Sequence, residues 1–382
     1  MHLQYLGARC KQDFLLGIEA MDPMPKSGTR FLLVDQTLVG FVGHHYEYAV
    51  SVLEAAERLG LDTSIAVNSS VDQKALALGG LDVIPWFNED WETSQRSPMI
   101  RAARWIMAFL PSRIRGLLLS LAVRAAPIEA KAKASIGTSS RFGTDVCSLM
   151  KDRELGPADH VFIHTVSFSE LYSLAVALPE YGGDLPRIHM VLRRDPPRGR
   201  NENAALREAL GVLRDTGVEL YSDTSGLARA YADIGGGTVS VLPIPFCPLE
   251  DMPAGTTDCP IVIGFLGGAR GEKGFHLLPD VVESLDAMYL KTGRVRLRVQ
   301  SNYELSREEP QMDAARRRLT RWPSDQVELL SEELDQSEFQ ALLASIDLVL
   351  LPYTADLYRL RSSGILVQAA AAGKPTVVPA DT

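Results

Sequence analysis

Apolar runs and amphipathic stretches alternate along most of this 382-residue chain. Short runs such as RFLLVDQ, DTSIAVN, DHVFIHT and PRIHMVLR are each followed by a segment with helical periodicity. A parallel strand that helices cover on both faces has a continuous apolar run, and the crossover to the next parallel strand is usually a helix. The pattern therefore predicts an α/β protein with doubly wound parallel sheets.

A proline-rich stretch, VSVLPIPFCPLEDMPAGTTDCP, interrupts this alternation, and a second series of strand-type runs follows it. We expect an N-terminal extension over residues 1–29, a first Rossmann-like domain over 30–246, a linker over 247–260 and a second Rossmann-like domain over 261–382. Two such domains facing each other would form a cleft at the carboxyl ends of their strands, which is where open α/β sheets bind ligands.

Charge and cysteine content narrow the class of protein. The net charge of −9 argues against nucleic acid as a partner, since binding to a phosphate backbone needs a basic surface. The four cysteines, Cys10, Cys147, Cys247 and Cys259, show neither a CxxC pair nor a zinc-type spacing with histidine. With no signal-peptide run at the N-terminus, we expect a cytoplasmic protein that contains reduced thiols and binds no metal.

A basic segment stands out in this acidic chain. Residues 93–128 contain six arginines and no acidic residue, and their periodicity predicts amphipathic helices over 97–127. Such helices can lie on an anionic membrane surface, with arginines at the lipid headgroups. Their apolar faces can equally pack on the core of the first domain, and the sequence leaves both interpretations open.

Two strand-to-helix loops in the second half have the chemistry of an anion site. In GGARGEKG, Gly267 and Gly268 allow close approach of the backbone to a ligand, and Arg270 and Lys273 supply positive charge. The alternative is a glycine-rich turn with solvated charges. The second loop is RSSG, which opens an alanine-rich helix whose free N–H groups and positive dipole end favour an anion.

Taken together, VLPIPF, IGFLGGARGEKGFHLL and LPY followed by RSSGILVQAAAAGKPTVV resemble the retaining GT-B glycosyltransferases. The early stretch LVGFVGHHYEYAVSVLEAAERLGLD is similar to that family's glycine-rich loop and first helix. The resemblance covers about residues 30–382. It implies transfer of a sugar, with retention, from a UDP- or GDP-sugar to a hydroxyl of a carbohydrate or lipid-linked acceptor. It implies no metal and no other cofactor, and a location in the cytoplasm or at the inner face of a membrane.

The resemblance also assigns roles to individual residues. His164, at the end of DHVFIHT, is expected close to the transferred sugar as a catalytic residue. The acceptor-side loop is expected to contain Gly40, Gly43, His44 and His45. The residues expected to bind the donor are Gly267, Gly268, Arg270, Lys273, Ser362, Ser363, Gly364 and Gln368.

The chain departs from the family pattern at several places. The family carries two glutamates eight residues apart, and here Leu360 and Gln368 occupy those positions. Gly268 replaces an arginine of the family's glycine-rich loop. Leu360 and Gln368 favour one alternative, a degenerate scaffold that binds a nucleotide sugar without turnover. A sugar-nucleotide epimerase is a second alternative, since it can use the same two-domain scaffold, but the acid/base carboxylates that it needs are not evident in the sequence. The chain also stops soon after PTVV, so we expect the second domain to be incomplete, with an exposed apolar edge near Val377 and Val378.

Overall fold

The computed structural model describes most of the chain, namely residues 28–39, 44–71, 80–88, 141–245, 260–302, 310–332 and 334–380. At positions 44, 45, 310 and 336 it describes the backbone alone. The predicted amphipathic segment 97–127 lies outside the described residues.

The described residues form two compact units. One comprises residues 28–39 and 52–242, and the other comprises residues 44–51 and 243–380. The division along the chain falls a few residues before the linker predicted at 247–260. Each unit contains one parallel β-sheet, and the predicted α/β class is confirmed.

In the part of the chain that the structure describes, the first sheet has seven parallel strands in the order β3-β2-β1-β4-β5-β6-β7. They are β1 Arg30–Asp35, β2 Asp62–Asn68, β3 Val83–Phe87, β4 His160–Ile163, β5 Arg187–Leu192, β6 Glu219–Ser222 and β7 Ser240–Val241. The strand order reverses between β1 and β4, so this is the topological switch point where open α/β sheets bind ligands.

Within the described residues, five α-helices accompany these strands: α1 His44–Arg58, α2 Phe142–Asp152, α3 Phe168–Ala177, α4 Arg200–Asp215 and α5 Ser225–Tyr231. Helix α3 begins at a capping box, in which Ser167 accepts from the Glu170 N–H and Glu170 accepts from the Ser167 N–H. Strand β1 is buried throughout its length after Arg30, as expected of a central strand covered on both faces.

The second sheet has five described strands, all parallel, in the order β10-β9-β8-β11-β12. They are β8 Ile261–Phe265, β9 Val295–Gln300, β10 Val327–Leu330, β11 Leu348–Leu350 and β12 Thr376–Val377. Its helices are α6 Leu278–Leu285, α7 Pro310–Leu319, α8 Gln336–Ala344, α9 Ala355–Tyr358 and α10 Gly364–Ala371. The strand order reverses between β8 and β11, which places the switch point of this sheet at the loops that follow those two strands.

Two apolar layers cover the faces of the second sheet. Phe265 belongs to the layer that contains Phe275 and Leu297, whereas the next residue, Leu266, belongs to the layer with Ile346. Successive side chains of a strand point to opposite faces, so a strand buried on both faces is apolar at every position.

At the edge of this sheet, Val377 and Val378 are 49% and 42% exposed, in agreement with the sequence expectation for these two residues. Within the described part of the chain, no helix has both the length and the apolar character needed to span a membrane.

Candidate functional site

The loop after β8 depends on two glycines in the left-handed region. Gly267 has a φ of +91° and Gly268 a φ of +78°, which other residues rarely adopt. A Cβ on Gly267 would also collide with the Lys273 amino group and lie 3.1 Å from Ile365 of α10. The Gly267 N–H donates to Gln300 Oε1 at 2.7 Å, which ties this loop to the end of β9.

Lys273 is the buried cation of this loop. Lys273 is the last residue of the short turn Gly271–Lys273 and is 8% exposed. Its Nζ donates to the Gly267 carbonyl. Burial, and secondarily the positive charge of Arg270, lower the pKa of Lys273 to about 7, against a smaller opposing effect of Glu272. An anion that approaches this amine would stabilise its charged form and raise its pKa, so Lys273 can gain a proton when a phosphate binds beside it.

The turn that carries Lys273 is fastened to the loop after β11. Gly274, which follows the turn, has a φ of +76°, and a Cβ there would overlap the Pro352 carbonyl. The Thr354 N–H donates to the Glu272 carbonyl at 2.9 Å. Arg270 is partly exposed and lies 3.4 Å from a Glu272 carboxylate oxygen. The loops that follow β8, β9 and β11 therefore form one hydrogen-bonded group at the carboxyl edge of the second sheet.

The RSSG loop opens α10 at the same edge. Ser363 is the N-cap, and its Oγ accepts from the Leu366 N–H at 3.2 Å. The same hydroxyl lies 3.0 Å from the Tyr353 hydroxyl, and the ring of Tyr353 lies 4.2 Å from that of Tyr358. The Ser363 hydroxyl thus caps α10 and also contacts Tyr353. Ser362 and Gly364, on either side of it, are half-buried.

Gln368 on α10 has a partner that the sequence did not indicate. Its Nε2 donates to Glu47 Oε2 at 2.8 Å, and Glu47 belongs to the part of α1 that clusters with the second sheet. Burial raises the pKa of Glu47, and this hydrogen bond opposes the rise. No sequence motif points to Glu47, which reads as an ordinary acidic residue in the first turn of a helix.

His164 lies at the carboxyl end of β4, at the switch point of the first sheet. Its side chain is fully buried, with Nε2 at 3.0 Å from Asp35 Oδ2 and Nδ1 at 3.0 Å from Thr165 Oγ1. Asp35 is missing from the sequence-based candidates, although its position at the end of β1 is the signal that could have identified it. Catalysis by His164 stays a prediction.

The structure describes little of the predicted acceptor-side loop. Gly40 and Gly43 lie outside the described residues, and His44 and His45 are described by their backbone alone, as the first residues of α1. Among the side chains that the structure describes, no group of three or more His, Cys, Asp or Glu residues has the arrangement of a metal site. The sequence expectation of a metal-free, cofactor-free protein is not tested by this observation.

The two Rossmann-like sheets define the chain as a protein of GT-B fold, the architecture of many nucleotide-sugar glycosyltransferases. Solved structures similar to it include the HepE protein of Anabaena in complex with UDP, with a TM-score of 0.56 at 14% identity over 92% of this chain and 80% of that one. A UDP-forming α,α-trehalose-phosphate synthase from Burkholderia vietnamiensis gives a TM-score of 0.56 at 13% identity over 92% and 84%.

A glycosyltransferase from Rickettsia africae gives a TM-score of 0.56 at 10% identity, over 92% of this chain and 79% of that one. No protein-family model matches the chain, and no curated protein matches it. The similarity to solved structures thus confirms the fold predicted from the sequence motifs.

Proposed function

We propose that this protein is a glycosyltransferase, which moves a sugar from a UDP- or GDP-sugar to an acceptor hydroxyl with retention at the anomeric carbon. The observation that supports it most is the group of loops after β8, β9 and β11, which brings Lys273, the glycine pair and the start of α10 to one edge of the second sheet. Structures of similar fold are complexes with UDP, UDP-glucose and UDP-2-fluoro glucose.

The chemical task of such a site is to stabilise the nucleoside diphosphate as it leaves. The departing group gains negative charge, and preorganised donors and cations in a partly dehydrated site lower the energy of that charge. Lys273 and Arg270 supply cations, and α10 supplies the positive end of its dipole. With these groups in place, the proposed reaction needs no metal ion.

The nature of the acceptor is a separate part of the proposal. A carbohydrate or lipid-linked hydroxyl fits a reaction of this class, and the arginine-rich segment 97–127 would place the enzyme at an anionic membrane surface. Flotation with vesicles of phosphatidylcholine, with and without phosphatidylglycerol, tests this directly. Binding that requires the anionic lipid, and that is lost when Arg101, Arg104 and Arg113 are replaced by glutamine, is the expected result.

A second candidate is a scaffold that binds a nucleotide sugar without transferring it. It is favoured by the hydrogen bond that engages Gln368 with Glu47 and by the absence of a carboxylate at Leu360.

Incubation with a panel of radiolabelled UDP- and GDP-sugars separates the candidates. Release of the nucleotide with transfer of the label supports the proposed function. Epimerisation of the sugar, or retention of bound and unchanged donor, would replace it with one of the alternatives. Failure to bind any member of the panel would contradict both the transferase and the scaffold.

A further inference from the structure

Three polar side chains form a continuous hydrogen-bonded chain at the switch point of the first sheet. Asp35 ends β1, and His164 and Thr165 directly follow β4. The distance from Asp35 Oδ2 to His164 Nε2 is 3.0 Å, and the distance from His164 Nδ1 to Thr165 Oγ1 is also 3.0 Å. Asp35 and His164 are fully buried, whereas Thr165 is only partly buried, so the chain runs from the interior toward the surface.

The carboxylate of Asp35 fixes the direction of its own hydrogen bond to His164, and a neutral imidazole then fixes the direction of the bond to Thr165. Its other oxygen, Oδ1, accepts from the Thr37 N–H at 3.0 Å and from the Thr37 hydroxyl at 2.7 Å, and these two donors favour the ionised carboxylate. An ionised carboxylate only accepts, so His164 Nε2 carries the hydrogen of this pair. In the neutral imidazole, Nδ1 is then an acceptor, and the Thr165 hydroxyl donates to it.

We infer that Thr165 contacts the substrate and accepts a hydrogen bond from a substrate hydroxyl. Asp35 and His164 act as positioning residues, because they set the direction in which the Thr165 hydroxyl donates. The inference rests on the proposed function, because it assigns a sugar hydroxyl as the group that Thr165 recognises. It differs from the sequence expectation, in which His164 itself touches the sugar.

The geometry favours this assignment in two ways. Ligands of open α/β sheets bind outside the carboxyl ends of the strands at the switch point, and Thr165 leaves β4 at that point. In addition, both ring nitrogens of His164 are already engaged by protein partners, whereas the partly buried Thr165 hydroxyl keeps lone pairs for a ligand when it donates to Nδ1.

The first test measures the tautomer and needs no substrate. Long-range ¹H–¹⁵N spectra of imidazole-labelled protein, with His164 assigned by comparison with His164→Gln, are expected to show neutral imidazole protonated at Nε2. In Asp35→Asn the new amide can donate to Nε2, so the hydrogen is expected to move to Nδ1. An imidazolium, or an Nδ1-protonated ring, in the unsubstituted protein would overturn the inference.

A matched control exists on the same two strands at their opposite ends. Asp159 precedes β4, is 6% exposed and pairs with Arg30 of β1 at 2.7 Å. Asp159→Asn removes a buried carboxylate of the same kind but is expected to leave the His164 spectrum unchanged. A change of tautomer in this control, equal to that in Asp35→Asn, would show that the spectrum reports general loosening of the sheet.

The second test measures kcat and KM for UDP release from UDP-glucose. Thr165→Val, which has the same shape, is expected to lower kcat/KM by about five- to tenfold, the range of one lost hydrogen bond. Thr165→Ser should restore most of it, and Asp35→Asn should reproduce the valine result. Equal kcat/KM in Thr165→Val and the unsubstituted protein would overturn the inference and leave the proposed function standing. No turnover of any UDP- or GDP-sugar by unsubstituted protein would instead contradict the transferase itself.

Discussion

The burial of Lys273 predicts an unusual dependence of stability on pH. The pKa of Lys273 is about 7 in the folded chain and 10.5 ordinarily, and burial is the main cause of the difference. At about 1.4 kcal/mol per pKa unit, the charged form destabilises the fold by about 5 kcal/mol. The unfolded chain binds the extra proton between these two pKa values, so stability is expected to rise with pH through that window.

Replacement by methionine removes the charge and retains the length of the side chain. Between pH 6 and pH 9, Lys273 alone should add about 2 to 3 kcal/mol to the free energy of unfolding, and Lys273→Met should lack this rise. At pH 6 the variant is expected to be the more stable protein, because the buried charge has gone.

Urea unfolding followed by tryptophan fluorescence measures the effect, since Trp322 packs against the core of the second sheet. The matched control is Lys374→Met, because Lys374 also donates to a backbone carbonyl, that of Ala344, but is far less buried. Burial lowers the pKa of Lys374 as well, but because this side chain is less buried, the control is expected to lose much less of the pH dependence than Lys273→Met. If the free energy of unfolding depends on pH in the same way in Lys273→Met and in the unsubstituted protein, the lowered pKa of Lys273 is refuted.

Further substitutions probe other parts of the structure. Gly274→Ala forces a Cβ onto the Pro352 carbonyl in the left-handed region, and we expect a loss of at least about 2 kcal/mol of stability in a thermal melt. Burial, followed by nearby positive charge, lowers the pKa of His160 to about 4. The free energy of unfolding should therefore fall as pH drops from 6.5 toward 4, by about 2 kcal/mol between pH 7.5 and pH 5. His160→Gln should show a weaker dependence of stability on pH in this range. Ser363→Ala removes the cap that accepts from the Leu366 N–H, and we expect about 1 kcal/mol of destabilisation by urea unfolding, whereas Ser363→Asp should retain the cap.

The central strands could be predicted because their burial leaves a strong local pattern. Between Arg30 and Asp35, the strand RFLLVD is apolar at every position because helices cover β1 on both faces. Strand β3 was missed, since VIPWF is short and contains Pro85, which fits its position at the edge of the sheet. Helix α2, Phe142–Asp152, was missed as well, because the helical prediction for this part of the chain was confined to the arginine-rich segment before it.

The partners of the candidate site residues could not be predicted from local patterns. The motifs indicated Lys273 and Ser363, but they do not say that the lysine is buried under its own loop or that the hydroxyl caps α10. Asp35 is 129 residues from His164 in the chain, and pairing over that distance is set by the order of the strands in the sheet.

Calorimetric titration of UDP at pH 8, in two buffers with different ionisation enthalpies, tests the donor site most directly. If the diphosphate binds beside Lys273, it raises the pKa of the buried amine from about 7, and binding is expected to take up most of one proton. Lys273→Met should bind UDP more weakly and without that uptake, while Lys374→Met should match the unsubstituted protein. Equal affinity and equal proton uptake in Lys273→Met, or no binding of UDP or GDP to the unsubstituted protein, would contradict the donor site described here.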